Sequence, residues 1–325
     1  MVEPVLVLRP REVPLGGPRA MTVRRTLPTR GRSFVGAWCF LDHYGPDDVT
    51  RTGGMDVPPH PHCALATVSW LFSGEVEHRD SLGTVATVRP GEVNLMTAGR
   101  GISHSEVSTG ATTVLHGAQL WVVLPQAAAD VEPRFEHHVP PTIDPAPGVE
   151  AQVFVGSLWG SASPVRVESA LLGAEVRLAR GATVALPVDE AFEVGVLVDS
   201  GSVTVDGTPV AAAELAVVEA GRATGLVLEA GPEGARVLVL GGEPFTEEIV
   251  MWWNFIGRDH EEVAAARAAW EAGASGDASG RFGRVDGYVG PVARIPAPAL
   301  PGVRLKPRSN RSPSRDLAAE PPPMS

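Results

Sequence analysis

Two short motifs in the sequence place potential metal ligands at alternating positions. Three of the nine histidines fall in His60-Pro61-His62 and His104-Ser105-Glu106. Successive side chains of a β-strand point to opposite faces, so residues i and i+2 share a face. Each motif would therefore present two ligands to one side of a sheet. If the two strands face each other in a barrel, all four side chains converge on one metal ion.

Three neutral imidazoles and one carboxylate suit a divalent metal, with iron, manganese, nickel, copper and zinc all possible. The chain has only two cysteines, Cys39 and Cys63, which are too few for a disulfide framework or a thiolate cluster. An octahedral ion with four protein ligands keeps two open positions, which could bind a chelating substrate, or a substrate atom together with dioxygen. The alternative is that one motif is a loop and the other a surface turn.

Short β-prone runs separated by Gly, Pro or Asp would have to position these motifs. They span residues 35–41, 65–72, 93–96, 113–124, 192–198 and 237–240. The chain also contains 36 Gly and 30 Pro, which indicates many turns. This spacing predicts an all-β fold of sandwich or barrel type. Gly53-Gly54 and Pro58-Pro59 precede the first motif, and Gly99-Arg100-Gly101 precedes the second. Both motifs therefore lie at equivalent ends of predicted strands.

The chain of 325 residues is long enough for two domains. Residues 71–76 resemble 198–203, and residues 92–99 resemble 214–221, which favours one duplicated barrel over two unrelated β domains. An acidic first turn followed by an alanine-rich run predicts one helix near the C-terminus. We predict an N-terminal metal-binding domain (1–138), a linker (139–148), a metal-free C-terminal domain (149–257), the helix (258–273), an extended wrapping segment (274–308) and a disordered tail (309–325).

The formal net charge of −11 would repel phosphate backbones, so we expect no direct nucleic-acid binding. Basic stretches at 19–32 and 304–315 are interpreted as a solvated loop and tail. The sequence has no apolar run of about 18 residues and no signal peptide, so we expect no membrane association and a cytoplasmic protein. We further expect a monomer.

Around the two motifs the sequence resembles the pirin family of the cupin superfamily. The resemblance covers His-Pro-His-Cys-Ala-Leu-Ala-Thr-Val at 60–68, residues 77–83 and 90–92, and Met-Thr-Ala-Gly-Arg-Gly-Ile-Ser-His-Ser-Glu at 96–106. It continues more faintly through the predicted helix. It implies two tandem cupin barrels, jelly-roll-like, and one metal ion, Fe(II) first among the candidates, on His60, His62, His104 and Glu106.

One departure from the family pattern concerns the residues after His62. Many members carry Arg-Gly-Phe-Glu-Thr where this chain has Cys63-Ala64-Leu65-Ala66-Thr67. Ala66 offers no carboxylate, so Glu106 must supply it. Cys63 is expected to face away from the metal as a packed residue. His78 and Asp80 are interpreted as a hydrogen-bonded turn.

The resemblance implies a dioxygenase of quercetinase type that acts on a flavonol or a related enolic or phenolic substrate with dioxygen. Glu106 would be both metal ligand and catalytic base, and would leave the metal to take the substrate's hydroxyl proton. The alternative is a non-catalytic regulator that senses metal or redox state and binds a protein partner. The fold by itself does not choose between the two.

Overall fold

The computed structural model describes residues 5–15, 21–221, 225–273 and 280–310. In the first part of the chain the strands are β1 (Leu6–Leu8), β2 (Arg11–Pro14), β3 (Thr22–Leu27), β4 (Trp38–Asp48), β5 (Asp56–His62), β6 (Leu65–Ser73), β7 (Val76–Asp80), β8 (Val85–Val88), β9 (Val93–Thr97), β10 (Ile102–Ser108), β11 (Val114–Val123) and β12 (Arg134–His138). Helix α1 (Val49–Thr52) follows β4, and a 3₁₀ turn (Gln126–Ala128) follows β11.

In the second part the strands are β13 (Thr142–Ala146), β14 (Val149–Val155), β15 (Ser157–Leu158), β16 (Ser161–Ala162), β17 (Leu171–Leu178), β18 (Thr183–Leu186), β19 (Glu193–Val205), β20 (Thr208–Ala211), β21 (Leu215–Val218), β22 (Leu226–Gly242), β23 (Val250–Trp252) and β24 (Phe255–Gly257). Helix α2 (His260–Ala272) comes last. The predicted all-β class is confirmed, and so is the C-terminal helix.

Two antiparallel sheets form the first barrel. One has the strand order β12-β9-β6-β11-β4-β3-β2 and the other the order β5-β10-β7-β8. Both histidine motifs lie in the smaller sheet, because β5 and β10 are hydrogen-bonded neighbours. The sheet pairing therefore brings together two motifs that lie about forty residues apart in the sequence.

A nine-stranded sheet forms the second barrel, in the order β1-β21-β19-β22-β17-β14-β13 with β18 and β20 at its sides. Its first strand comes from the N-terminus, because β1 pairs with β21. The predicted linker at 139–148 contains β13, which pairs with β14. Both ends of the N-terminal region are thus tied into the second sheet, an arrangement that the predicted domain bounds do not describe.

Two glycines occupy equivalent bends in the barrels. Gly74 (φ 86°) ends β6 and Gly201 (φ 73°) lies within β19, and both have a backbone conformation that favours glycine. A Cβ at either position would meet a carbonyl oxygen of the neighbouring strand, that of Val114 or that of Gly234. The shared bend supports the duplication predicted from the repeat.

The barrels pack against each other through a common apolar core. Trp70 of the first barrel stacks on Phe154 of the second, with ring centroids 4.5 Å apart. The Trp38 indole N–H donates to the carbonyl oxygens of Leu172 (3.2 Å) and Gly241 (3.1 Å). Large aromatic side chains with satisfied N–H groups contribute strongly to such interfaces. The two barrels are therefore held as one packed unit.

The C-terminal region covers the first barrel. Helix α2 begins after Asp259, whose carboxylate accepts a hydrogen bond from the Glu262 N–H at 2.9 Å, and its buried residues pack with Phe255 and Phe282. The Ile295 N–H then donates to the Pro59 carbonyl oxygen at 2.9 Å, next to the first histidine motif. The described part of the extended segment thus contacts the first barrel at this point.

The end of the described chain extends past the predicted start of the tail. The Asn310 side-chain oxygen accepts hydrogen bonds from the backbone N–H groups of Ser33 (3.0 Å) and Phe34 (2.9 Å). The Ser33 hydroxyl donates to the Ser309 carbonyl oxygen at 3.3 Å. Residues 309 and 310 therefore belong to the packed protein, while the rest of the predicted tail (311–325) and residues 274–279 lie outside the described residues.

Candidate metal centre

Strands β5 and β10 bring three of the four predicted ligands together. His60 lies opposite His104 in the strand pairing, and His62 lies opposite Ile102. The three histidines are buried, and one nitrogen from each lies within 4.8 Å of the others. The shortest separation joins His62 Nε2 and His104 Nε2 at 3.1 Å. This is the separation expected of two nitrogens that bind one ion at about 2.1 Å each.

Backbone carbonyls fix the tautomers of His60 and His62. His60 Nδ1 lies 2.9 Å from the Pro58 carbonyl oxygen, and His62 Nδ1 lies 3.3 Å from that of Asn254. A carbonyl oxygen only accepts, so each Nδ1 carries the proton and each Nε2 keeps its lone pair. Metal-binding histidines are commonly oriented in this way.

A buried chain of side chains orients His104. His104 Nδ1 lies 3.3 Å from His78 Nδ1, and His78 Nε2 lies 3.3 Å from an Asp80 carboxylate oxygen. Since the carboxylate accepts, His78 donates through Nε2 and accepts through Nδ1. His104 must then donate from Nδ1, which leaves its Nε2 lone pair free. All three histidines therefore direct an unprotonated Nε2 to the same point.

The predicted hydrogen-bonded turn is present at Asp80 but does not include His78. Asp80 is the last residue of β7, and its carboxylate accepts hydrogen bonds from the Leu82 N–H at 2.9 Å and the Thr84 N–H at 3.0 Å. His78 lies within β7 and pairs with Glu106 across the sheet, and Asp80 pairs with His104. Burial alone would raise the pKa of Asp80, but hydrogen bonds from His78 and from the Thr84 N–H lower it below its ordinary value. The spacing i, i+2 of His78 and Asp80 was a usable signal, since it is the spacing of the two ligand motifs.

Burial keeps the three histidines neutral. It lowers the pKa of His60 to about 4 and lowers the pKa values of His62 and His104 well below the usual value. Neutral imidazoles are the form that binds metals. A buried group of three such nitrogens fits a divalent ion of intermediate softness.

Glu106 lines the same cavity as the histidines but is not part of the group whose donor atoms lie within 4.8 Å of one another. The pairing of β5 with β10 is irregular between His104 and Glu106. The Glu106 carboxylate is buried, which raises its pKa, and Glu106 Oε1 lies 3.3 Å from the Ser69 hydroxyl. The same hydroxyl lies 2.9 Å from the Gln119 side-chain oxygen, so its single proton serves one of them at a time.

The cavity at the histidines has a volume of about 470 Å³ and an aromatic wall. Phe40 and Trp121 stack with ring centroids 4.1 Å apart, and the Trp121 ring meets that of His62 edge-on. Met251 and Trp253 close the cavity from the β23–β24 hairpin, which also supplies the Asn254 carbonyl. No local sequence pattern predicts this contribution of the hairpin.

The residues that follow His62 pack without reaching the cavity. Cys63 is 1% exposed and lies in an apolar cluster with Phe255 and Val263. Burial raises the pKa of its thiol to about 11, so the thiol stays protonated. Ala66, at the departure from the family pattern, lies buried in the core between the barrels.

A second buried cluster joins the two barrels. One oxygen of Asp199 on β19 lies 2.7 Å from His43 Nε2 and 2.6 Å from His116 Nε2. Its other oxygen accepts from Arg236 Nε at 2.7 Å, and Arg24 lies 3.3 Å from His43 Nδ1. Two guanidinium groups already supply the positive charge that a metal ion would bring, so we interpret this cluster as an interdomain hydrogen-bond network.

The interior of the second barrel is aliphatic. Leu226 and Leu228 are buried in its core with Val196 and Val239. A metal-free second domain remains a prediction.

Two tandem β-barrels, the first with a buried three-histidine cavity, define a metal-binding bicupin. The family model of pirin matches residues 20–122, and that of the pirin C-terminal cupin domain matches residues 173–276. The chain belongs to the pirin family of the cupin superfamily.

Relatives and solved structures agree with this membership. A Pseudomonas aeruginosa protein named "Putative quercetin 2,3-dioxygenase PA1205" is 46% identical over 291 residues, which cover 90% of this chain and 89% of the relative. A pirin-like protein of Caulobacter vibrioides is 38% identical over 260 residues, 77% of this chain and 88% of that protein. The crystal structure of a quercetin 2,3-dioxygenase from Acinetobacter baumannii, 37% identical, matches with a TM-score of 0.85 and covers 94% of this chain and 98% of that one.

Among the described residues, neither α1 nor α2 is long and apolar enough to span a membrane.

Proposed function

We propose that this pirin-family protein is a metal-dependent dioxygenase of quercetinase type. The observation that carries the proposal is the convergence of three unprotonated Nε2 atoms on a cavity with an aromatic wall. The names of the Pseudomonas and Acinetobacter relatives support the same reaction class. The metal, Fe(II) in the first instance, is held by His60, His62, His104 and Glu106.

The bound metal would hold the hydroxyl and carbonyl oxygens of an enolic substrate and make the substrate reactive toward dioxygen. Phe40 and Trp121 line the cavity and offer an apolar surface to the substrate ring. Met251 and Trp253 add apolar surface to the cavity lining. These side chains therefore favour a planar aromatic or enolic molecule.

Glu106 is the proposed base. Burial raises the pKa of Glu106 above its ordinary value, which makes the carboxylate a better proton acceptor. The Ser69 hydroxyl at 3.3 Å can stabilise the charged form and hold its orientation. As a ligand that can also take a proton, Glu106 would receive the substrate's hydroxyl proton.

The test is oxygen consumption by anaerobically iron-loaded protein with quercetin and with smaller enolic and phenolic compounds. We expect uptake with at least one chelating enol and none with the metal-free protein. A fully loaded protein that consumes no oxygen with any of them contradicts the proposal.

A further inference from the structure

Three arginines line the cavity that contains the histidines. Arg11 lies on β2, Arg25 lies on β3, and Arg308 lies in the C-terminal segment that wraps the first barrel. The whole chain carries a formal net charge of −11. The three arginines at this cavity therefore carry a charge opposite in sign to that of the whole protein. Their partners at the cavity must explain why they lie together.

Arg25 is already compensated by an acid. Its Nε and Nη2 atoms donate to the two oxygens of Asp42 at 2.6 and 2.7 Å, and its guanidinium lies 4.2 Å from the centre of the Phe40 ring. This bidentate pair occupies both carboxylate oxygens. Asp42 can thus give Arg11 only a longer-range attraction.

Arg11 and Arg308 have no such partner. The Nη1 of Arg11 donates to the Pro28 carbonyl oxygen at 2.7 Å. Arg308 bonds through its backbone, where its N–H donates to the Ile249 carbonyl oxygen. Within the parts of the chain that the structure describes, no carboxylate forms an ion pair with either side chain. Glu106 also lines the cavity, but it lies on β10 with His104 and is the proposed fourth ligand.

Burial lowers the pKa of Arg308, and the charge of Arg11 lowers it as well. Burial also lowers the pKa of Arg11, and the charge of Arg25 lowers it further. An anion bound at Arg11 and Arg308 would offset this concentration of positive charge at the cavity. Two planar guanidinium forks match the oxygens of a carboxylate well.

We propose that Arg11 and Arg308 form an anion subsite that binds the carboxylate of an enolic or aromatic acid. The inference rests on the proposed function, because the substrate's chelating edge would face His60, His62 and His104 while its ring lies along Phe40 and Trp121. A cavity of about 470 Å³ accommodates a molecule of one or two rings. An uncharged flavonol such as quercetin is then a poorer ligand than a small chelating acid.

Comenic acid and kojic acid provide a matched pair of probes. They share a hydroxypyranone chelating edge, and they differ in one substituent, which is a carboxylate in comenic acid and a neutral hydroxymethyl group in kojic acid. Binding to nickel-loaded protein is measured by calorimetry and by the change in the metal absorption spectrum. We expect comenate to bind about tenfold more tightly or better, the size of a charge-assisted hydrogen-bond contribution. The difference should shrink as salt is added.

Substitutions locate the subsite. Arg11→Gln and Arg308→Gln should each weaken comenate binding about tenfold and leave kojic acid binding unchanged. Arg308→Lys should keep part of the preference because it keeps the charge. Arg9→Gln is the matched control: it removes a positive charge two residues from Arg11, from a side chain that is 86% exposed, and should change neither ligand.

The outcomes separate the two proposals. Equal affinity of wild-type protein for both compounds, with a clear metal spectral response, overturns the anion subsite and leaves the metal site in place. No spectral response to either compound overturns metal chelation and the subsite together. The comparison of the two ligands on unmodified protein does not depend on whether any variant folds.

Discussion

His78 Nδ1 lies 3.3 Å from His104 Nδ1, inside the first barrel and between a carboxylate and the candidate metal centre. The carboxylate of Asp80 fixes the tautomer of His78, and His78 in turn fixes that of His104. The ring of His78 is held by Phe135, stacked at a centroid distance of 4.7 Å. A ligand histidine is thus oriented by side chains alone, whereas His60 and His62 are oriented by backbone carbonyls.

Replacing His78 by Phe removes the acceptor for His104 Nδ1 and keeps an aromatic ring against Phe135. We expect metal affinity to fall about 10- to 100-fold, the usual cost of losing an outer hydrogen bond to a ligand. Competition with a chromophoric chelator measures the affinity. His137→Phe, at a half-exposed position on β12 bonded to Glu92, is the control. Unchanged affinity in the His78 variant would show that His104 needs no such partner.

The double variant His60→Ala, His62→Ala removes two of the four proposed ligands and leaves a site with little affinity. We expect it to purify without metal and to remain folded, because the apolar cores of both barrels lie elsewhere. Elemental analysis and thermal unfolding check the two parts. One full equivalent of metal in the double variant would refute the ligand assignment.

The interdomain cluster predicts a dependence of stability on pH. Burial lowers the pKa of His43, and the positive charge of Arg24 lowers it further. His43 also faces Asp199 and His116, and Arg236 donates a hydrogen bond to the other oxygen of Asp199. A group whose pKa is lowered in the folded state binds its proton more readily in the unfolded chain. The free energy of unfolding should therefore fall as the pH drops below about 6.5, with a limiting slope of about 1.4 kcal/mol per pH unit for one proton.

Urea unfolding of metal-free protein between pH 7.5 and pH 5 tests this dependence. The buried histidines of the candidate metal centre are the same in wild type and in His43→Gln, so the difference between the two slopes reports His43 together with its coupling to His116. We expect a shallower slope in His43→Gln. Parallel curves for wild type and His43→Gln would contradict the assignment. The hydrogen bonds that lower the pKa of Asp199 add stability that is lost only at still lower pH.

The sequence predicted the local features of this protein and missed several long-range ones. The i, i+2 spacing of His60 and His62 is a local pattern, and so is the acidic first turn of α2, where Asp259 caps the helix. The Asn254 carbonyl reaches His62 across 192 residues, which no local periodicity encodes. The pairing of β1 with the second sheet is equally non-local. His78 is an intermediate case. Its spacing of two residues from Asp80 can be read from the sequence, but the pairing of β7 with β10 cannot.

Glu106→Gln separates the two roles proposed for this carboxylate. The amide keeps the shape and an oxygen donor, but it loses the negative charge and cannot accept a proton at neutral pH. We expect weaker metal binding that excess iron restores, because three imidazoles remain. If the carboxylate is the base, turnover of the metal-saturated variant should fall roughly 10²- to 10⁴-fold while substrate binding changes much less.

Oxygen-uptake kinetics with a substrate that wild-type protein turns over measure the effect, and metal content is determined on the same samples. Ser69→Ala is the companion variant: it removes the hydroxyl 3.3 Å from Glu106 Oε1 without removing the carboxylate. It should reduce turnover far less than Glu106→Gln, because the base itself remains and loses one hydrogen bond. Near-normal turnover by metal-saturated Glu106→Gln would exclude the base role and leave Glu106 as a ligand only.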